Sequence, residues 1–261
     1  MALFAYLVSI AAVVEVRDRQ GALMEPLGPA DPVRVGPYRL VGRLGEGGMG
    51  HVFLGRSPGG RPVAVKTVRA EYAADPRFRK RFAAEVEAAR RVGGFFTAQV
   101  VDADPDDNPP WLVTAYVAGP SLQTAVLEHG PLPVETVRAL GVGLVEGLMA
   151  IHACGVVHRD LKPSNIIIAS DGPRVIDFGI ARALEMTSLT SPSVVLGTPA
   201  FMSPEQVLGR EHGPAGDVFA LGSVLTFAVT GRGAFGEGHP WAVLDRICPT
   251  PARATWPASC G

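Results

Sequence analysis

The segment His158-Arg159-Asp160-Leu161-Lys162-Pro163-Ser164-Asn165, followed shortly by Asp177-Phe178-Gly179, constrains this chain more than any other feature. Between the two lie Ile166-Ile167-Ile168, then Asp171-Gly172, then Val175-Ile176. That pattern is strand, turn, strand. A hairpin there folds Asn165 back beside Asp177, so residues far apart in the chain share one point. A lone Asp-Phe-Gly occurs by chance; the eight-residue run in this order, at this distance from it, is not expected to.

The residue types suit a metal-bound phosphate. Phosphoryl transfer needs positioning and charge neutralisation more than covalent help. Magnesium takes hard oxygen ligands and keeps several waters, so one carboxylate and one carboxamide suffice when phosphates supply the rest. Asp177 and Asn165 fit those roles. Asp160 fits the group that orients an incoming hydroxyl and accepts its proton. Lys162, two residues on, reaches a transferring phosphate and offsets its developing charge. On these residues the chain resembles the eukaryotic-like (Hanks-type) protein kinases, in particular the bacterial serine/threonine branch.

The resemblance extends upstream. Gly45-Glu46-Gly47-Gly48-Met49-Gly50-His51-Val52, preceded by Leu44, matches the kinase Gly-rich loop. Alone, G-x-G-x-x-G also suits a flexible turn or a dinucleotide fold. A dinucleotide fingerprint opens a helix, whereas here Val52-Phe53-Leu54 continues as a strand and Pro62-Val63-Ala64-Val65-Lys66 returns after a turn. Glycines let such a flap approach phosphates without Cβ clashes. Lys66 then corresponds to the lysine that holds the α/β-phosphates and pairs with a helix glutamate, here Glu85. Asp75 and Pro76 are placed to start that helix. Phe78, Phe82, Val86 and Ala89 recur at helical spacing, and Glu85 shares their inward face. A surface salt bridge is the alternative for Glu85.

Trp111-Leu112-Val113-Thr114-Ala115-Tyr116-Val117 resembles the strand entering the hinge between lobes. The resemblance implies adenine binding by the Ala115 carbonyl and the Val117 main chain, with Thr114 at the back of the pocket. Val52, Ala64 and Ile167 would sandwich the ring. Many family members carry glutamate where this chain has Ala115, a mild departure because backbone contacts do not need that side chain. Val137, Leu140, Leu144, Val145, Leu148 and Ile151 form one apolar helical stripe.

Between Gly179 and Glu205 lies the implied activation segment, ending Gly197-Thr198-Pro199-Ala200-Phe201-Met202-Ser203-Pro204-Glu205. With Lys162 it favours serine/threonine over tyrosine as acceptor, and the family's Thr198 bonds the catalytic aspartate. Thr187, Ser188, Thr190, Ser191 and Ser193 are candidates for autophosphorylation, Thr190 first among them, since a phosphate brings acceptors that Arg159 would grip. Asp217 opens an apolar helix expected to be buried nearly all round, and the resemblance implies that its carboxylate holds the backbone of the His-Arg-Asp loop, a partnership a buried carboxylate needs. Beyond about residue 236 the motifs fade, Pro249, Pro251 and Pro257 crowd together, and Trp241 to Ile247 reads as a turn or two of helix. The last helices of the large lobe are therefore not all expected, and Glu205 is expected to lack the family's late arginine partner.

The expected fold is α+β and bilobal: a small antiparallel β-sheet lobe with one helix (38–114), a hinge (115–119), and a mainly helical lobe (120–261) lacking its last helices. Residues 1–37 read as an N-terminal extension. Ala2 to Val14 is apolar but too short to span a bilayer and lacks a signal-peptide pattern, and Met24 offers an alternative start. The chain has 261 residues, 47% of them hydrophobic, enough for one core, and net charge −1, no excess suited to nucleic acid. Cys154, Cys248 and Cys260 are scattered without metal or disulfide spacing, which fits a reducing cytoplasm. The resemblance implies ATP and Mg2+ as cosubstrate and cofactor, Ser/Thr-bearing protein substrates, and a family tendency to homodimerise. A catalytically weak nucleotide-binding module is the alternative. A small-molecule phosphotransferase of related fold is disfavoured by the segment ending at Glu205.

Overall fold

The structure, a computed structural model, describes residues 24–47, 50–178 and 199–249. A six-stranded sheet has the order β1-β2-β3-β4-β6-β5, every neighbouring pair antiparallel. Its strands are β1 (Arg34–Val35), β2 (Tyr38–Gly47), β3 (Gly50–Arg56), β4 (Pro62–Val68), β5 (Val100–Asp104) and β6 (Trp111–Ala115). Side chains alternate across β4: Val63 and Val65 are buried on one face with Phe53, Val113, Trp111, Tyr38 and Leu40, while Ala64 and Lys66 turn to the other, half-buried.

The second face of the sheet is partly covered by a helix. After the short α1 (Ala70–Ala73) comes α2 (Pro76–Arg90). Asp75 caps it, Oδ1 accepting the Arg77 amide at 2.8 Å, with Pro76 at its first position. Phe78, Phe82 and Val86 bury their side chains against Val68 and Leu112. Ala89, one turn further, joins the larger core instead, so α2 connects the two hydrophobic clusters. The small lobe thus carries two helices, where the sequence pattern led us to expect one.

The larger core is helical. It packs α3 (Leu122–His129), α4 (Val134–Ala153) and α6 (Pro214–Thr230) around the two-stranded sheet of β7 (Ile166–Ala169) and β8 (Gly172–Val175). Short helices α5 (Pro204–Val207) and α7 (Pro240–Ile247) complete the described elements. Leu140, Leu144, Leu148 and Ile151 of α4 are buried as the stripe predicts, but Val145 is 45% exposed. One step round the helix from Leu144, it falls on the outer side with Val142 and Met149. The expectation for α6 also needs correction: Ala220, Leu221, Val224 and Ala228 are buried, whereas Val218 is 60% exposed. Uniform hydrophobicity does not reveal which flank stays open.

Residues 24–37, which the sequence reading set apart from the domain, add to the sheet. The backbones of Glu25 and Arg43 pair in both directions, β1 pairs with β2, and Asp31 accepts from Arg43 at 2.6 Å. At the other end, α7 buries Val243, Leu244 and Ile247 and exposes Trp241, two turns of amphipathic helix.

Candidate active site

The β7–β8 hairpin forms in the expected register, Ile166 opposite Val175 and Ala169 opposite Gly172. It returns the chain so that the Ile176 amide donates to the Asn165 carbonyl at 3.0 Å. Asn165 and Asp177 thereby become neighbours. The Asn165 side-chain amide donates to the Asp160 carbonyl oxygen at 2.8 Å and to Asp160 Oδ2 at 3.2 Å. That orientation leaves Asn165 Oδ1 as the atom turned to a ligand. Lys162 Nζ donates to Asp160 Oδ2 at 2.6 Å.

Two of these residues sit in the left-handed region without being glycine: Arg159 at φ 68° and Asp177 at φ 59°. Such conformations cost on the order of 1–3 kcal/mol and need surroundings that enforce them. For Arg159 the clamp is visible. Its amide donates to Asp217 Oδ1 at 2.9 Å, and its carbonyl accepts from Gln206 Nε2 at 2.8 Å. The His158 amide donates to Asp217 Oδ2 at 2.8 Å.

Asp217 is fully buried near the start of α6, with no lysine or arginine partner among the described residues. His152 Nε2 and His212 Nε2 complete its shell at 2.7 and 3.1 Å. Burial pushes its carboxyl up, but the hydrogen bonds from His212 and His152 outweigh that and hold it well below the usual range. His158 is also fully buried, and burial pushes its imidazole below the ordinary value. The ring is therefore neutral: Nε2–H faces the Ile176 carbonyl at 3.1 Å, and Nδ1 accepts the Asp160 amide at 3.3 Å.

From the sheet, Lys66 Nζ reaches Asp177 Oδ2 at 3.1 Å. Burial pushes the Asp177 carboxyl up, yet the Lys66 ammonium outweighs it and keeps the group below its ordinary value. The ion pair recorded for Lys66 is thus with Asp177; the carboxylate oxygens of Glu85 are shielded from solvent on α2. Val52 lies opposite Lys66, and Ala64 opposite Thr114, so all four share one sheet face. They are half-buried, as are Ile167 on β7 and Leu44, Ala115 and Val117. Gly45, Glu46 and Gly47 are exposed at the end of β2, with Gly47 opposite Gly50. Arg69 holds Glu46 at 2.6 Å. Gly50 needs to be glycine, since a Cβ there would overlap the Thr67 carbonyl oxygen.

The structure therefore forms two sets of contacts, Lys66 with Asp177 and both Lys162 and Asn165 with Asp160, joined through the backbone bond from Ile176 to Asn165. Gly48, Met49, Gly179, Thr187, Ser188, Thr190, Ser191, Ser193 and Thr198 lie outside the described residues. Glu205 stands at the start of α5, and its Oε1 would be 2.7 Å from a Cβ on Gly216. Sequence reasoning missed His152, His212 and Gln206. No spacing rule links them to Asp217 or Arg159, although His152 lies within the last turn of α4.

Comparison with known proteins agrees with this geometry. The chain is 62% identical over 229 residues to a probable serine/threonine-protein kinase, PkwA, of Thermomonospora curvata, covering 88% of this chain and 31% of that protein. It is 56% identical over 219 residues to the serine/threonine-protein kinase AfsK of Streptomyces coelicolor, covering 84% and 27%. The chain thus spans about a third or less of these relatives. A crystal structure of the PknI kinase domain of Mycobacterium tuberculosis superposes with a TM-score of 0.66 at 27% identity, covering 81% of this chain and 80% of that one. The family described as protein kinase domain matches residues 38–253, running past the point where the motifs fade, and the chain belongs to that family.

Proposed function

We propose that this chain transfers the γ-phosphoryl group of ATP to serine or threonine hydroxyls of proteins. The observation that carries the reading is the linked set Lys66–Asp177, Asn165–Asp160 and Lys162–Asp160. Lys66 would grip the α/β-phosphates, and Glu85 would steady it once a nucleotide draws it from Asp177. The half-buried face of Val52, Ala64, Thr114 and Ile167 offers an apolar slot for adenine, with Ala115 and Val117 supplying main-chain groups. The Gly45–Gly50 flap would close over the phosphates.

The donor set fits magnesium: hard oxygens from Asn165 Oδ1 and the Asp177 carboxylate, with room for phosphates to supply others. When bound, the ion would neutralise charge on the phosphates. Asp160 would accept the hydroxyl proton, and Lys162 would balance charge on the moving group. Thr198 would steady Asp160, and phosphorylation of Thr190 would give Arg159 an anion to hold.

Label transfer from γ-labelled ATP with magnesium, to the chain itself and to a generic basic protein, tests the reading. We expect labelled phosphoserine or phosphothreonine from the native chain. The Asp160→Asn variant should be slower by about a hundredfold or more. Nucleotide binding without transfer in the native chain would instead favour a nucleotide-binding interaction module, and undiminished transfer by Asp160→Asn would remove Asp160 from its role.

A further inference from the structure

The strained residue Arg159 is held from two sides, and one side chain bonds one holder and the N-cap residue of the helix that carries the other. Asp217 takes its amide, and Gln206 takes its carbonyl. Gln206 belongs to α5, where its Oε1 accepts the Ser203 amide at 3.0 Å. His212 stands between them: Nε2 lies 3.1 Å from Asp217 Oδ1, and Nδ1 lies 3.1 Å from Ser203 Oγ. Ser203 and Asp217 are fully buried, and His212 is 6% exposed.

We propose that His212 is a positioning residue for the catalytic loop, tying Ser203 at the close of the activation segment to the aspartate beneath His158 and Arg159. One proton position follows from donor counting. An ionised Asp217 only accepts, so His212 Nε2 carries a hydrogen. His212 Nδ1 faces the Ser203 hydroxyl, which also lies 3.3 Å from Gln206 Oε1. The run Ser203 to His212 to Asp217 is continuous and buried. Hydrogen bonds of this kind in a dry site hold geometry more firmly than exposed ones.

Gly216 supports the assignment independently. A Cβ there would overlap the His212 ring and come within 2.7 Å of Glu205 Oε1. The glycine opens the space that the imidazole fills. The backbone of residue 216 does not itself call for glycine, for it lies in the first turn of α6 and its φ is not in the left-handed region.

His212 touches neither nucleotide-facing residue nor acceptor site, so its loss should alter turnover and not ATP capture. This inference rests on the phosphotransfer reading. The test compares steady-state kinetics and melting temperature for the native chain, His212→Phe, Ser203→Ala, Gly216→Ala and the double variant His212→Phe/Ser203→Ala. The phenylalanine keeps a planar aromatic ring, slightly larger than imidazole, while removing both hydrogen bonds, and Ser203→Ala removes one of them without added bulk. We expect kcat to fall about tenfold in His212→Phe with KM for ATP changed less than about twofold, the signature of an interaction felt in the transition state. Ser203→Ala should give part of that loss, and the double variant should be no worse than His212→Phe alone. Gly216→Ala should reproduce the loss by displacing the ring. Native kcat in folded His212→Phe, or strictly additive losses, would overturn the proposal. If His212→Phe fails to fold, Ser203→Ala and Gly216→Ala decide in the same way, native kcat in both overturning it. An inactive native chain would instead sink the kinase reading itself.

Discussion

At the scale of single residues, the demanding one is Asp217. A carboxylate at 1% side-chain exposure, with no lysine or arginine partner among the described residues, is tolerated because two backbone amides and two histidine nitrogens meet it. Replacing it with Asn turns one acceptor oxygen into a donor facing donors. Buried polar groups left unpaired cost about 1–3 kcal/mol each, so Asp217→Asn should lose about 3 kcal/mol or more in urea unfolding. A loss under about 1 kcal/mol would mean the shell rearranges freely. The partnership of Asp217 with the His158–Arg159 backbone was legible, because the helix that Asp217 opens resembles a known pattern. Its histidines were not. His152 is far off in sequence and His212 sits five residues before Asp217, outside any helix. Likewise the place of Lys66 at the end of a strand was legible, but its contact with Asp177 depends on how the sheet meets the β7–β8 hairpin.

At the scale of elements, period was readable and environment was not. The alternation in β4 and the turn at Asp171-Gly172 gave strands in register, and the Asp75-Pro76 start of α2 formed as drawn. Glycines inside helices show what pattern alone omits. A Cβ on Gly143 of α4 would lie 2.8 Å from the rigid Pro173 ring and 3.0 Å from Phe96. A Cβ on Gly222 of α6 meets nothing within 4 Å. Glycine-to-alanine in a helix gains about 1 kcal/mol of propensity, whereas overpacking costs about 1–3 kcal/mol. Gly222→Ala should therefore stabilise by up to about 1 kcal/mol, and Gly143→Ala should destabilise by about as much. Thermal melts of both variants check the contrast; equal shifts would contradict the packing at Phe96.

At the scale of the whole molecule, protonation couples the site to stability. His158 is buried and neutral, its folded value lowered from 6.5, so the unfolded chain binds the proton more readily. Its contribution is complete above about pH 6.5 and shrinks as pH falls below that value. Asp217, lowered from 3.8, contributes fully above about pH 4 and is lost in stronger acid. The stability difference between the native chain and His158→Phe, measured from pH 8 to pH 5, should be greatest at high pH and narrow on acidification; a constant difference would mean that the ring carries no such linkage. We propose that Lys66 from the sheet, with Asn165 and Asp177 at the two ends of the hairpin, serves one magnesium-bound triphosphate. Calorimetric titration of ATP, with and without magnesium, into the native chain and Asp177→Asn addresses it directly. We expect magnesium to tighten native binding and to lose most of that effect in the variant, with magnesium-free affinity changed far less. Equal magnesium enhancement in both proteins would contradict the account.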